Sequence, residues 1–274
     1  MMTIGHVDVP AEVLSAFLSA FPDARLIGLT PRAAERLDVQ DHPHVLIVGC
    51  HSHDDRMQVR LAALKARHPH LAVIVLLDAS SNGLRAAFQY GLARLDGLLV
   101  VGLDDNPKRI RAVVERCRMS SVASVIEAMA APLPPVLARP TLDSVLQMLP
   151  VINRPRGIAH TLSLSLSSFR NELRTARLFP PRLLLAWFRI LLAARYLTEG
   201  LRSVEAVSAD VGYASPSHLR HACKGFLGII PTEVKAQGGL RFAGVKFRDA
   251  LNMGPRRVNG TVACTSVYHV TRPH

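Results

Sequence analysis

The chain is poor in cysteine and in acid, and it has no long hydrophobic run. Its four cysteines, Cys50, Cys117, Cys223 and Cys264, stand far apart and form no CxxC pair. That spacing argues against a disulfide frame or a zinc site and suits the reduced thiols of a cytoplasmic protein. The longest apolar candidate, Leu183 to Leu197, is broken by Arg189 and Arg195, so neither a bilayer span nor a membrane partner is expected. Met1 to Pro10 lacks the basic and apolar regions of a secretory signal. A nucleophile elbow, a P-loop and a GxGxxG segment are all missing, so the chain is not read as an enzyme, and no catalytic residue, metal or cofactor is called for.

Acid is scarce in one half only. Lys and Arg number 33 against 21 Asp and Glu, a net charge of +12. Residues 1–137 hold 14 of each sign, leaving 19 basic and 7 acidic residues to the remainder. A neutral module joined to a strongly basic one implies a polyanion-binding half and a controlling half. Hydrophobic residues make up 49% of the chain, enough for packed cores in both.

The neutral half alternates strand-like and helix-like segments. Strands are expected at Thr3–Asp8, Arg25–Leu29, Val45–Cys50, Leu71–Leu77 and Gly97–Gly102. Helices are expected at Ala11–Phe21, Pro31–Leu37, Asp54–Arg67, Ser81–Gly91 and Pro107–Cys117. The runs VLIVG and LAVIVLL are nearly unbroken in apolar and β-branched residues, as in a parallel sheet covered on both faces. Five such units predict a small doubly wound α/β domain, residues 1–118. A connecting helix from Ser120 to Ala131 and the four-proline stretch APLPPVLARP make residues 119–140 a helical and Pro-rich linker. Beyond it the strand signals vanish and helical periodicity runs to about Val234. The last stretch, 238–274, is basic and without clear period, and is expected to be a flexible tail.

The most specific segment is Ser203 to Lys235. Ser203 is an N-cap candidate for a helix presenting Val204, Val207 and Val211 on one face. Gly212 stands where a tight turn needs a positive φ. Tyr213 packs the turn, and Ser215 with Pro216 restarts a helix with a cap and an N1 proline. Leu219, Cys223 and Phe226 then face the core, leaving Ser217, His218, Arg220, His221 and Lys224 outside. Helix, glycine turn and a second helix with a polar face are the device that enters a major groove. A related unit, GIAHTLSLSLSSFRNELRTA, lies about 50 residues upstream.

These segments resemble the double helix-turn-helix domain of the AraC/XylS family over roughly Thr141 to Gln237. The resemblance rests on Gly212-Tyr213, the SxSH stretch from Ser215 to His218, the closure from Gly228 to Pro231, and the upstream copy. In that copy Ala159 is the small residue of the first helix, Ser165 the cap and Leu166 to Thr175 the recognition helix. PRLLLAWFRILLAARYLTEG is similar to the family's long central helix, with Leu184, Leu185, Phe188, Leu191, Leu192 and Tyr196 joining the two lobes. The resemblance implies an all-α domain at residues 141–237 whose two recognition helices enter successive major grooves, about 34 Å apart. It implies DNA contacts from Ser167, Ser168, Arg170, Asn171 and Arg174 in the first helix, and from Ser217, His218, Arg220, His221 and Lys224 in the second. Arg170 suits guanine and Asn171 adenine, while Arg174 and Lys224, farther along, suit phosphates. Three positions depart from the pattern: Cys223 for a phenylalanine, Gly225 inside the second recognition helix, and Arg177 for a glycine after the first.

The α/β half resembles a response-regulator receiver domain, through ALKARHPHLAVIVL. That alignment puts Gly49 at the phosphoacceptor aspartate, Leu77 at the hydroxyl and Val101 at the lysine, with Asp8 alone for the acidic pair. It therefore implies a degenerate receiver that aspartyl phosphate does not switch. His51, His53, Asp54 and Asp55 have a spacing that can ligate a metal, but two loop histidines followed by acids at a helix start explain them as well. Beyond double-stranded DNA, the candidate partners are RNA polymerase and a second copy of the chain through the N-terminal domain. The alternative to a regulator is an adaptor that works through protein–protein contacts.

Overall fold

The computed structural model describes residues 2–30, 43–50, 55–79, 96–130, 132–152, 154–199 and 202–253. The chain folds as two compact units, Met1–Ser124 and Val125–His274.

In the first unit the strands β1 (Thr3–Val7), β2 (Arg25–Gly28), β3 (Val45–Cys50), β4 (Ala72–Leu77) and β5 (Gly97–Val100) form one parallel sheet in the order β2-β1-β3-β4-β5. Alternation along each strand sends side chains to opposite faces. Ile4, Val45, Ile47, Ile74, Leu76 and Leu99 meet Val13 and Phe17 of α1 (Ala11–Ala20) and Ile110, Val114 and Cys117 of α3 (Pro107–Met129). Val7, Leu46, Val48, Val73, Val75 and Leu77 meet Leu61 and Leu64 of α2 (Asp55–Arg67) on the other side. Cover on both faces is why β3 and β4 carry no polar residue. The expected helices Pro31–Leu37 and Ser81–Gly91 lie outside the described residues.

The sheet is fastened at one end by a buried charge pair. The Asp96 carboxylate, fully buried just before β5, accepts the Val73 N–H at 2.9 Å and the Lys65 ammonium at 2.6 Å. Lys65 also donates to the Leu71 carbonyl at 2.6 Å, so α2, β4 and β5 share one node.

The helix α3 corrects the expected boundary. A helix ending at Cys117, with a connecting helix from Ser120, is instead one continuous helix to Met129. Cys117-Arg118-Met119-Ser120 contains no glycine or proline to break it. The junction of the two units therefore falls within a helix, at Ser124, rather than at residue 118.

The second unit is helical: α4 (Arg139–Gln147), α5 (Pro155–Thr161), α6 (Leu166–Thr175), α7 (Pro181–Glu199), α8 (Val204–Asp210), α9 (Pro216–Leu227) and α10 (Gly239–Met253). The proline-rich stretch holds a short 3-10 turn at Pro135–Leu137, and α4 begins directly after Ala138. Arg139 ties α4 back to Glu127 at 2.9 Å. Nearly all of α7 is buried, including Arg189, Arg195 and Glu199, and the other helices from α5 onward pack around it.

The expectation of a flexible tail from residue 238 is also corrected. Residues 239–253 form α10, which buries Leu240, Ala243, Phe247 and Ala250. These positions recur at helical spacing, a period masked in the sequence by intervening arginine, lysine and glycine. The Phe247 ring lies 5.4 Å from that of Trp187 and 5.9 Å from that of Phe179, and Phe226 of α9 closes the cluster 4.9 Å from Trp187. Residues 254–274 lie outside the described residues.

Replacing Asp96 by alanine removes the carboxylate that accepts from the Lys65 ammonium and the Val73 N–H. We expect a loss of about 3–5 kcal/mol, read as a lower urea midpoint for the first unit. Lys65→Met takes the cation away from the buried Asp96 carboxylate and should cost a comparable amount. The double variant Asp96→Ala with Lys65→Met, which removes both charges, should cost less than the two losses summed.

Candidate nucleic-acid interface

Two helix pairs, α5–α6 and α8–α9, are built by the same local devices. In the first, the chain leaves α5 through a closure in which the Ser163 N–H donates to the His160 carbonyl (2.9 Å) and the Leu164 N–H to the Ala159 carbonyl (2.8 Å). In the second, the Gly212 N–H donates to the Ala209 carbonyl (3.0 Å) and the Tyr213 N–H to the Ser208 carbonyl (2.9 Å). Both closures satisfy orphan carbonyls through a residue in the left-handed conformation, Ser163 at φ 54° and Gly212 at φ 79°. Each second helix then starts from a serine cap. Ser165 accepts the Ser168 N–H at 3.0 Å and Ser215 accepts the His218 N–H at 3.3 Å.

Gly212 is required twice over. A side chain there would have to adopt the left-handed region, and its Cβ would lie 3.1 Å from the Leu149 carbonyl oxygen and 3.2 Å from the Arg189 guanidinium. Arg189 explains the crowding. From inside α7 its Nη2 donates to the Ile152 carbonyl at 2.7 Å, and its guanidinium stacks 5.8 Å from the centre of the Tyr213 ring. One buried cation thus joins the segment entering the first helix pair to the turn of the second. A second group secures the far end of α7. Arg195 pairs with Glu199 at 3.1 Å, Arg195 and Arg202 cover Tyr196 at 4.8 and 4.4 Å, and Arg202 pairs with Asp210 of α8.

The caps also set a common register on the second helices. Arg170 and Arg220 each stand five positions after their cap, Asn171 and His221 six, and Arg174 and Lys224 nine. Of the ten residues read from the sequence as DNA-facing, Ser167, Ser168, Arg170, Asn171, Arg174, Ser217, Arg220, His221 and Lys224 are exposed, and His218 is half-buried. Phe169 and Leu173 of α6, and Leu219, Ala222, Cys223 and Leu227 of α9, turn inward. Two of the serines have local work as well: the Ser167 and Ser168 hydroxyls each lie 2.8 Å from the cap oxygen of Ser165. Burial pushes the Cys223 thiol up to about 12, so the residue that departs from the family pattern serves as a small core side chain and stays protonated.

Ser163 is unmarked in the sequence, Arg189 reads there only as a break in an apolar run, and Arg177 only as a replaced glycine. Arg177 repeats the same closure after α6, its N–H donating to the Arg174 carbonyl and the Leu178 N–H to the Leu173 carbonyl (3.1 and 2.8 Å), at φ 55°. The absence of the usual glycine there was legible. That a long side chain nonetheless occupies the left-handed seat was not.

In the first unit the strand order reverses between β1 and β3, where sheets of this order place their ligand crevice. Asp8 and Gly49 meet there. Asp8 adopts φ 51°, and a Cβ on Gly49 would overlap the Asp8 carbonyl oxygen. Leu77 is buried among apolar neighbours and Val101 packs against the opposite cluster. His51, His53 and Asp54 lie outside the described residues, and Asp55 opens α2. Among the described residues no group of three or more His, Cys, Asp or Glu is placed to hold a metal ion, and no helix is long and apolar enough to cross a membrane.

Residues 158–237 match the family model of a helix-turn-helix domain. This part of the chain thus carries a helix-turn-helix domain, in agreement with the AraC-type resemblance of its sequence. No curated protein matches the chain. Two solved structures of RcsB from Salmonella enterica serovar Typhimurium are similar, one bound to promoter rprA and one to promoter P1flhDC, both in the presence of phosphomimetic BeF3-. They share 16% and 17% identity, with 67% and 68% of this chain and 97% and 98% of theirs covered, at TM-scores of 0.33 and 0.32. At those TM-scores the likeness bears on neither fold nor function.

Removing the strain of a long side chain at φ 55° should help the protein. Arg177→Gly is expected to raise stability by about 1 kcal/mol and Gly212→Ala to lower it by more than that, both read from thermal unfolding followed by helical circular dichroism.

Proposed function

We propose that the chain is a sequence-specific transcription regulator, acting in the cytoplasm, that lays α6 and α9 into successive major grooves on one face of a duplex. The observation that carries this reading is the shared register of exposed Arg170 and Arg220, Asn171 and His221, and Arg174 and Lys224 on two identically capped helices. In the first half of α6, Arg170 reaches a guanine edge and Asn171 an adenine edge, where bidentate pairing discriminates bases. Nearly a turn farther on, Arg174 and Lys224 hold phosphates and fix the register without reading sequence. The charge of the basic half supplies the non-specific attraction.

The N-terminal unit serves as a regulatory or dimerisation module that needs no aspartyl phosphate. Phosphoryl transfer to a carboxylate needs the carboxylate, a cation and room. The Gly49 position has none of the room, and Leu77 and Val101 offer no polar group. A second copy of the chain and RNA polymerase are the partners this organisation would engage.

Footprinting on genomic fragments tests the reading: two protected stretches on one face, about one helical turn apart, are expected. No protection on any fragment would leave the adaptor that works through protein contacts. Arg170→Ala should relax preference at one base pair at a cost of about 1–3 kcal/mol. Lys224→Ala should weaken all sequences alike and reduce the salt slope of log K by about 0.9, measured by fluorescence anisotropy across a salt series. Identical behaviour of the two variants would reverse the assigned helix orientation. Gly49→Asp should lower the unfolding temperature and take up no phosphoryl group from acetyl phosphate; stable folding with stoichiometric labelling would refute the closed site.

A further inference from the structure

His221 differs from its neighbours Arg220 and Lys224 in what it can offer a base. The Arg220 guanidinium and the Lys224 ammonium only donate hydrogen bonds. The His221 ring lies on the exposed side of α9 with Nδ1 2.8 Å from the backbone carbonyl oxygen of Ser217, one turn back. A carbonyl oxygen carries no hydrogen, so the proton of that bond belongs to Nδ1. A neutral imidazole has a single N–H. With the proton committed to the helix, Nε2 on the far side of the ring is left as an acceptor.

In the major groove the hydrogen-bond donors on base edges are the N6 amino group of adenine and the N4 amino group of cytosine, whereas guanine and thymine present acceptors there. We propose that His221 reads an exocyclic amino group of adenine or cytosine in the half-site met by α9, accepting its hydrogen at Nε2. The inference rests on α9 entering the major groove. A second observation agrees with it: the first recognition helix carries Asn171 at the same place after its cap, a side chain whose carbonyl oxygen also accepts from an amino hydrogen. Each helix thus sets, side by side, an arginine that seeks an acceptor and a residue that seeks a donor. Two adjacent residues of opposite hydrogen-bonding sense distinguish more base pairs than two cations would.

Two measurements on the full chain test this. Long-range proton–nitrogen correlation spectra of the histidine rings, with the His221 signals assigned by their loss in His221→Ala, should show the neutral ring protonated on Nδ1. A ring protonated on Nε2 overturns the proposal whether or not DNA is bound. Sequences selected from a random pool by wild type and by His221→Ala should then differ at one base pair only, where the variant loses its preference. At that pair, removing the amino group, with purine in place of adenine or pyrimidin-2-one in place of cytosine, should weaken wild type about tenfold and the variant hardly at all. An equal effect on both proteins, or a loss produced by 7-deazapurine instead, overturns the proposal. If His221→Ala flattens no position while other preferences persist, only the role of His221 falls. If wild type selects no sequence, the DNA-reading function falls with it.

Discussion

Burial of α7 on nearly every side is the constraint around which the two helix pairs are arranged. Its apolar side chains pack against α5, α6, α8, α9 and α10, each fully buried large residue contributing about 1.5–3 kcal/mol. A helix so enclosed cannot accommodate a bare guanidinium, so Arg189 must find acceptors inside. It finds the Ile152 carbonyl at the entry to the first helix pair and the ring of Tyr213 in the turn of the second. That one side chain thus ties the entry of the first helix pair to the turn of the second.

The same economy recurs at the ends of the helices. Ser163, Arg177 and Gly212 take the left-handed seat in three copies of one closure, and Ser165, Ser203 and Ser215 supply three caps of one kind. Only Gly212 lacks the Cβ that is strained in that seat, and a Cβ there would lie within 3.2 Å of a carbonyl oxygen and a guanidinium. At exposed positions the chain tolerates a serine or an arginine at a cost. Where Arg189 and the Leu149 carbonyl close in, it does not.

Much of this was legible in the sequence because the signals are local. Nearly unbroken apolar and β-branched runs marked β3 and β4, the serine caps marked both helix pairs, and Gly212 marked the second. The ten DNA-facing candidates lie on the predicted helices because cap position and helical period together decide which side chains turn outward. What the sequence hid depends on distance along the chain. Arg189 read as a charge interrupting an apolar run, since its partners at Ile152 and Tyr213 are reached only in the folded state. Phe247 is separated from Trp187 by sixty residues, so α10 read as a basic tail. The continuity of α3 escaped notice because a rise in charge and proline beyond it suggested a boundary sooner. Gly49 suggested a lost nucleophile; that the Asp8 backbone fills the place is a fact of packing.

The account stands on two recognition helices fixed in relation to each other by α7. Binding to an operator with about five base pairs inserted between its half-sites, half a helical turn, tests this most directly. A rigid domain can then engage only one half-site, and affinity should fall toward that for a single half-site. Affinity unchanged by the insertion would show that the helices move independently, and would contradict it.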